Sequence, residues 1–407
     1  MKLLLWVLLP TRLALWWMRL WRRDNNPASP ARDSFILFRL DALGDLVLTT
    51  PVFRELKRTY SAAHITVVVQ PAYRSILETS PYIDELLCVP SFRNSGLLKP
   101  ARYLIGVLIF YWRELRGRRF DVAICPRWDT DEHLATLLCA LTRAQLRVGY
   151  SERASTGKRR FNRGFDRAFD ICRDPGPLRH EVERNSAILE AVGASVNDSS
   201  TEISLRPQDH EYASEVLRDV PEDRVLIALG IGAQSPGRRW PLERYSALIG
   251  ELSREFPVHT VITCAPSDHQ HAVHLADTLP GSSTISNSAA IRETCALLER
   301  CDLFIGNDTG AAHLAAAMHC PTIVVSRHPK DGDPEHPNSP ARFGPWGVAG
   351  SVLQPDHGLD DCVTRCREID RPHCILQVSV SQVVVAAEVL LIRSSRVQDN
   401  LLASFSL

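Results

Sequence analysis

The strongest constraint on this chain is a repeated alternation of short, β-branched apolar runs with longer helix-like stretches. "FILFRL" (35–40), "HITVVVQ" (64–70) and "FDVAICP" (120–126) read as strands. Between them, "LVLTTPVFRELKRTY" and "LLKPARYLIGVLIFYWRELRGRR" read as helices, with Pro51 near the start of the former, where a missing N–H does little harm. A second set begins near residue 208, with "RVLIALGIGA" (224–233), "HTVITCAP", "DLFI" (302–305) and "PTIVVS" (321–326) as strands. "RYSALIGELSREF", "IRETCALLERC" and an alanine-rich run after residue 310 supply its helices. Strand, loop and helix in regular succession argue for parallel sheets covered by helices. Two such sets in 407 residues predict an α/β chain of two Rossmann-like, parallel-sheet domains facing a central cleft. The expected boundaries are 33–207 and 208–380, with 381–407 as a closing helix and tail.

Residues 1–26 stand apart. "MKLLLWVLLPTRLALWWMRLWRR" is apolar and tryptophan-rich, and its arginines Arg12, Arg19 and Arg23 share one helical face. Pro10 and Arg12 interrupt it too early for a spanning helix of about 20 apolar residues. No small-residue cleavage site follows, which argues against a secretory signal. The pattern predicts a membrane-associated amphipathic helix lying in the interface through residues 1–23, with a single-pass anchor as the alternative. Its basic residues favour the inner face of the cytoplasmic membrane.

Lys plus Arg and Asp plus Glu number 47 each, so no global charge favours nucleic acid, and no nucleic-acid partner is expected. The stretch from Arg147 to Arg184 is locally basic, either as a solvated face or as a surface for an anionic partner. Cys125, Cys139 and Cys264 lie in apolar contexts, as buried free thiols do. Cys362, Cys366 and Cys374, with His373, form a late cluster whose spacing fits no common zinc pattern.

Three loops follow predicted strands, where open α/β sheets take their ligands. The first, "RLDALGDLVLTTP" (39–51), has Gly44 for a tight turn and Asp45 at a helix N-terminus. Asp45 is either a cap or a carboxylate able to take a proton from a hydroxyl. The second, "GIGAQSPGRRWP" (230–241), carries Arg238 and Arg239, whose guanidinium groups match phosphate oxygens. The third, "GNDTGAAHLAAAMHCP" (306–321), places Asp308, Thr309 and Gly310 at a helix start and His313 in its first turns. It reads as a capped core helix or as a phosphate site. No P-loop, dinucleotide fingerprint after the first strand, H-E-x-x-H, G-x-S-x-G or kinase set is present.

Taken together, "RLDALGDLVLTTPVFRELKRTYSAAHITVVVQ", "GAQSPGRRWPLERYSALIGEL" and "IGNDTGAAHLAAAMHCPTIVV" resemble glycosyltransferase family 9, the lipopolysaccharide heptosyltransferases, over most of residues 35–326. G-D-x-x-x-T-T-P and D-T-G-x-x-H-x-A-x-A are the specific ends of the likeness, about 260 residues apart. The resemblance implies the GT-B fold, with an N-terminal acceptor domain and a C-terminal nucleotide-sugar domain. It implies transfer of a sugar, heptose from ADP-heptose in the usual case, to a hydroxyl of a lipopolysaccharide or other cell-envelope glycan. Asp45 falls on the family's catalytic base and Gly44 on the turn before it. Gln234, Ser235 and Arg239 fall in the phosphate-binding loop, and Asp308, Thr309, Gly310, Ala311 and His313 on the second donor loop. Asp268 lies where a glutamate holds the ribose hydroxyls, and Ser288 near the adenine-contacting segment.

Two departures stand out: Arg239 replaces a lysine before Trp-Pro, and "CPRWDTDEHLA" replaces the glutamine-glycine-lysine pattern of inner-core enzymes. Arg127 and Asp129, in that segment, are the candidates for the acceptor, expected to be an anionic lipid-linked glycan. No metal or other cofactor is expected, because no acidic pair is placed to bridge a diphosphate and arginines take that role. The alternatives are a transferase using a UDP-sugar, a nucleotide-sugar epimerase and a non-catalytic binding protein of the same fold.

Overall fold

A computed structural model describes residues 32–90, 99–286, 290–359 and 371–393. The helix expected over 1–26, together with Cys362 and Cys366, lies outside the described residues. The chain divides into two compact units at Ser199–Ser200.

In the first unit six strands form one parallel sheet: β1 (Ser34–Arg39), β2 (His64–Val69), β3 (Glu85–Cys88), β4 (Val122–Cys125), β5 (Leu146–Tyr150) and β6 (Ile171–Arg173). Their order is β3-β2-β1-β4-β5-β6. β1 and β4 are buried along almost their whole length, as a sheet covered on both faces requires. Ile36, Phe38, Val68 and Ala123 carry the core on one face, with Leu137, Leu138 and Phe165 against them.

The second unit repeats the plan with β7 (Val225–Gly230), β8 (Val258–Thr263), β9 (Ser282–Ser286), β10 (Leu303–Asn307), β11 (Thr322–Val325) and β12 (Gly350–Leu353). The order β12-β11-β10-β7-β8-β9, read from its other edge, repeats that of the first sheet strand for strand. The helix Val380–Arg393 buries Val383, Ala387 and Leu391 in this unit's own core. Each sheet therefore reverses its winding once, between β1 and β4 and between β7 and β10. Loops at such a reversal part to opposite sides and leave a crevice at the carboxyl ends of the strands.

The stretch expected as one helix after β1 is two, Leu43–Val47 and Thr50–Thr59. Pro51 has no N–H to offer the Val47 carbonyl, and its ring crowds that group, so the helix stops and restarts. The Thr50 hydroxyl donates to the Val47 carbonyl at 2.8 Å, and Thr49 does the same for Asp45 at 2.7 Å, which satisfies the carbonyls at the break. Gly44 also departs from expectation. It lies inside the first short helix and is not among the glycines with positive φ, so the tight turn falls on residues 40–42.

At the end of β7 and β10, glycine is required by close approach. A Cβ on Gly306 would stand 2.7 Å from the Phe304 ring and 2.9 Å from the Gly230 carbonyl oxygen, and one on Gly230 would stand 2.4 Å from that ring. Backbone lies on one side and a buried ring on the other, so neither contact relaxes cheaply. Gly306→Ala is expected to destabilise the second unit by about 1–3 kcal/mol, read as a fall in Cm with unchanged m value in urea unfolding.

Candidate active site

In the first unit the charged residues gather at the reversal point. Arg39 ends β1 and is 1% exposed, an unusual place for a guanidinium. Its Nη1 faces Asp41 Oδ2 at 3.4 Å and its Nη2 donates to Asp45 Oδ1 at 3.2 Å. Arg127, in the loop after β4, meets the same two carboxylates, Asp41 Oδ1 and Asp45 Oδ1, each at 3.4 Å. Two arginines and two aspartates thus close a four-membered charge ring. Burial works against the Arg127 charge, but Asp41, then Asp45, Asp129 and Glu181, outweigh it and hold the guanidinium more firmly protonated than usual.

Asp45 is the third residue of its short helix, and its Oδ2 accepts the Ala42 N–H at 3.3 Å. It therefore caps the helix with one oxygen and keeps the other at the ring. The loop bearing Arg127 is pinned from below by Lys158. That side chain is 2% exposed and donates to the Arg127 and Tyr150 carbonyls at 2.7 and 3.0 Å. Burial lowers the Lys158 pKa. Asp129 turns inward: its Oδ1 accepts the Thr130 N–H and the Ser155 hydroxyl, both at 2.7 Å. Tyr73 stands near Asp45, and its phenol is raised above the usual range by burial and by that charge, against a backbone hydrogen bond at Leu43.

In the second unit the loops after β7 and β10 are locked together by Asn307, which is fully buried. Its Oδ1 accepts the Trp240 N–H at 2.8 Å, and its Nδ2 donates to the Ile231 and Gly232 carbonyls at 2.9 and 3.2 Å. Trp240, 1% exposed, is the peg of the arginine loop; its indole N–H donates to the Val378 carbonyl at 3.1 Å. Between these fixed points Arg238 binds the carbonyl of Asp308 and its Oδ2, the latter at 3.2 Å. Arg239 donates to Asp268 Oδ1 at 2.8 Å and to the Ala233 carbonyl at 3.1 Å. Thr309 is the N-cap of the helix Gly310–Ala317, yet its side chain makes no capping hydrogen bond. The first N–H groups of such a helix lack intrahelical partners and point at whatever lies before it. His313 is buried within this helix, Ala311 and Ser235 are half-buried, and Gln234 is exposed. Ser288 lies outside the described residues.

The structure thus brings Asp45 and Arg127 together in one unit, and Arg238 with Asp308 and Arg239 with Asp268 in the other. Arg39, Asp41, Tyr73 and Asn307 belong to these clusters although the sequence reading did not single them out. Among the described residues, no group of three or more His, Cys, Asp or Glu is gathered to hold a metal ion. Cys374 is fully buried, with His373 Nδ1 3.1 Å from its sulfur.

Tandem doubly wound units, each with charged side chains at its reversal point, define the chain as a two-domain α/β protein with ligand-binding crevices at the carboxyl ends of its strands. Residues 109–346, more than half of the chain, match glycosyltransferase family 9 (heptosyltransferase), and the chain belongs to that family. It is a glycosyltransferase. Lipopolysaccharide heptosyltransferase 3 of Escherichia coli (strain K12) is 25% identical over 360 residues, covering 84% of this chain and 94% of its own length. In structure the chain resembles a family 9 glycosyl transferase from Veillonella parvula, with TM-score 0.70 at 22% identity over 89% of this chain and 98% of that one. It also resembles an E. coli heptosyltransferase solved with ADP, with TM-score 0.63 at 16% identity over 88% and 99% of the two chains.

Proposed function

We propose that this chain transfers heptose from ADP-heptose, with inversion, to a hydroxyl of a lipopolysaccharide acceptor. The observation that carries the reading is Asp45. Its carboxylate is 13% exposed and held by Arg39, Arg127 and the Ala42 N–H at the carboxyl edge of β1. Family membership and relatives that are lipopolysaccharide heptosyltransferases support the sugar and the acceptor, and relatives solved with ADP and an ADP-heptose analogue support the donor.

In this reading the acceptor oxygen attacks the anomeric carbon, its proton passes to Asp45, and the bond from that carbon to the diphosphate oxygen breaks. Arg127 is 21% exposed against 1% for Arg39, so it is the cation that an anionic group of the acceptor can engage. When Arg127 turns to such a group, Asp45 Oδ1 loses one of its two donors and has a lone pair for the hydroxyl proton. Asp129 serves through the loop it braces. Arg238, Arg239 and the N–H groups at the start of Gly310–Ala317 would stabilise the leaving diphosphate as its charge builds. Asp268, Gln234, Ser235, Asp308 and His313 would complete the donor site.

The protein would work at the inner face of the cytoplasmic membrane, with residues 1–23 at the interface. Among the described residues, no helix is long and apolar enough to cross a membrane.

The reading is tested by a thermal-shift series with ADP-heptose and UDP-sugars, followed by product analysis on lipopolysaccharide lacking heptose. ADP-heptose should raise the melting temperature most and leave ADP and heptosylated acceptor; a larger response to UDP-sugars would redirect the donor assignment. Arg239→Ala should weaken ADP binding by about tenfold in calorimetry, the scale of one charge-assisted contact. Unchanged affinity would remove Arg239 from the donor site.

A further inference from the structure

The outer face of the helix Lys99–Phe110 is not explained by the folding of the first unit. Its inner face is: Val107 and Phe110, with Tyr103, Leu104 and Tyr111, pack into that unit's core. A surface helix ordinarily turns polar residues outward. Here Ile105, Leu108, Ile109 and Trp112 stand 56, 43, 46 and 60% exposed. Their spacing gathers them into one stripe along the helix and the wider turn Tyr111–Leu115 that continues it. Four large apolar side chains in one stripe differ from the scattered single exposures of an ordinary soluble surface.

The surrounding charge selects the partner. Residues 99–119 carry Lys99, Arg102, Arg113, Arg116, Arg118 and Arg119 against one acid, Glu114. Arg102, Arg113, Arg116 and Arg119 are exposed, while Arg118 pairs with Glu85. The Arg116 guanidinium lies 3.5 Å from the centroid of the Trp112 ring, which sets a cation on the border of the apolar stripe. A leaflet of acidic lipid offers the complementary layers, phosphates outside and hydrocarbon beneath. Trp with Arg is the pairing that settles at that boundary.

We propose that the face formed by residues 99–119 docks the folded first unit onto an anionic lipid surface, lying in the headgroup plane. A twelve-residue helix is about 18 Å long, well short of the roughly 30 Å hydrocarbon core, so it does not span. The contact is separate in sequence from residues 1–23. A single tether would leave the unit bearing Asp45 free to tumble, whereas this face fixes which side of it meets the membrane. The inference does not depend on the sugar or the nucleotide, since lipid binding is measured without either.

Hydrogen exchange on the full-length chain tests it, with vesicles of phosphatidylglycerol and phosphatidylcholine in equal parts and with phosphatidylcholine alone. The acidic vesicles should slow exchange across 99–119 several-fold, and the neutral ones should not. Ile109→Ser with Trp112→Ser, and separately Arg113→Glu with Arg116→Glu, should abolish that protection. The charge-reversed pair should also partition to the acidic vesicles at least about tenfold more weakly. All four side chains are exposed, so melting temperatures should hold; if a variant misfolds, the wild-type exchange pattern decides. A vesicle-bound chain with unchanged exchange at 99–119 would overturn the proposal. So would equal protection by neutral vesicles, or protection that grows with protein concentration in their absence, the mark of a second copy on this face.

Discussion

Asp45→Asn should leave a folded chain that still takes up nucleotide but transfers sugar at least about a hundredfold more slowly. The substitution keeps shape and keeps an oxygen for the Ala42 N–H, so the helix cap survives. What it removes is the proposed proton acceptor. Arg39 is fully enclosed, and losing the Asp45 charge would be severe were it the only partner, but Asp41 stays 3.4 Å from Arg39 Nη1. The stability cost should therefore stay near one charge-assisted hydrogen bond, about 1.5–3 kcal/mol. Nucleotide affinity in calorimetry should be unchanged, because the arginine loop belongs to the other unit and none of its described contacts involves Asp45. Turnover near wild type in a heptose-transfer assay would dismiss Asp45 as the base.

The parts of this fold legible in the sequence are those written in local periodicity. β1, β2, β4, β7, β8, β10 and β11 are apolar enough to stand out, because strands covered on both faces must be. β5, β6, β9 and β12 were not separable: "LRVGY", "ICR", "SSTIS" and "GSVL" are short and carry Arg, Gly or Ser. They are strands because a neighbouring strand offers them a ladder, a tertiary cause. The helix break at Pro51 was available in principle, since a proline four residues after Val47 removes a specific hydrogen bond.

The candidate site divides the same way. Loops after strands were readable, and Arg238, Arg239 and the Asp308–Gly310 run fall on the reversal point of the second sheet. The ring of Arg39, Asp41, Asp45 and Arg127 was not, because it joins residues more than 80 positions apart by folding alone. One trace did exist: Arg39 is a lone cation closing an apolar strand, where it needs buried carboxylates to be tolerated. Asn307, next to Asp308, was masked by its neighbour. Its role appears only when β7 and β10 are seen side by side.

Asn307→Ala is the variant that should damage the second unit most. Three hydrogen bonds disappear at once, and the Trp240 N–H and the Ile231 and Gly232 carbonyls lose a buried partner. At about 1 kcal/mol for each, part of it recovered by water entering the gap, the loss should reach roughly 2–3 kcal/mol. For a unit of this size that lowers the melting midpoint by about 5–10 °C in scanning calorimetry. The functional effect should exceed what stability explains. Asn307 ends β10, just before Asp308, and ties that strand to the loop carrying Arg238 and Arg239, so its loss frees both elements of the proposed donor site together. Nucleotide affinity should fall at least about tenfold at a temperature where the variant is still folded. Asn307→Asp keeps the acceptor for the Trp240 N–H and gives up both donors, so it should be impaired in both measurements. A midpoint within a degree or two of wild type, with ADP affinity unchanged, would mean that the two loops are held by other contacts and that Asn307 only fills space between them.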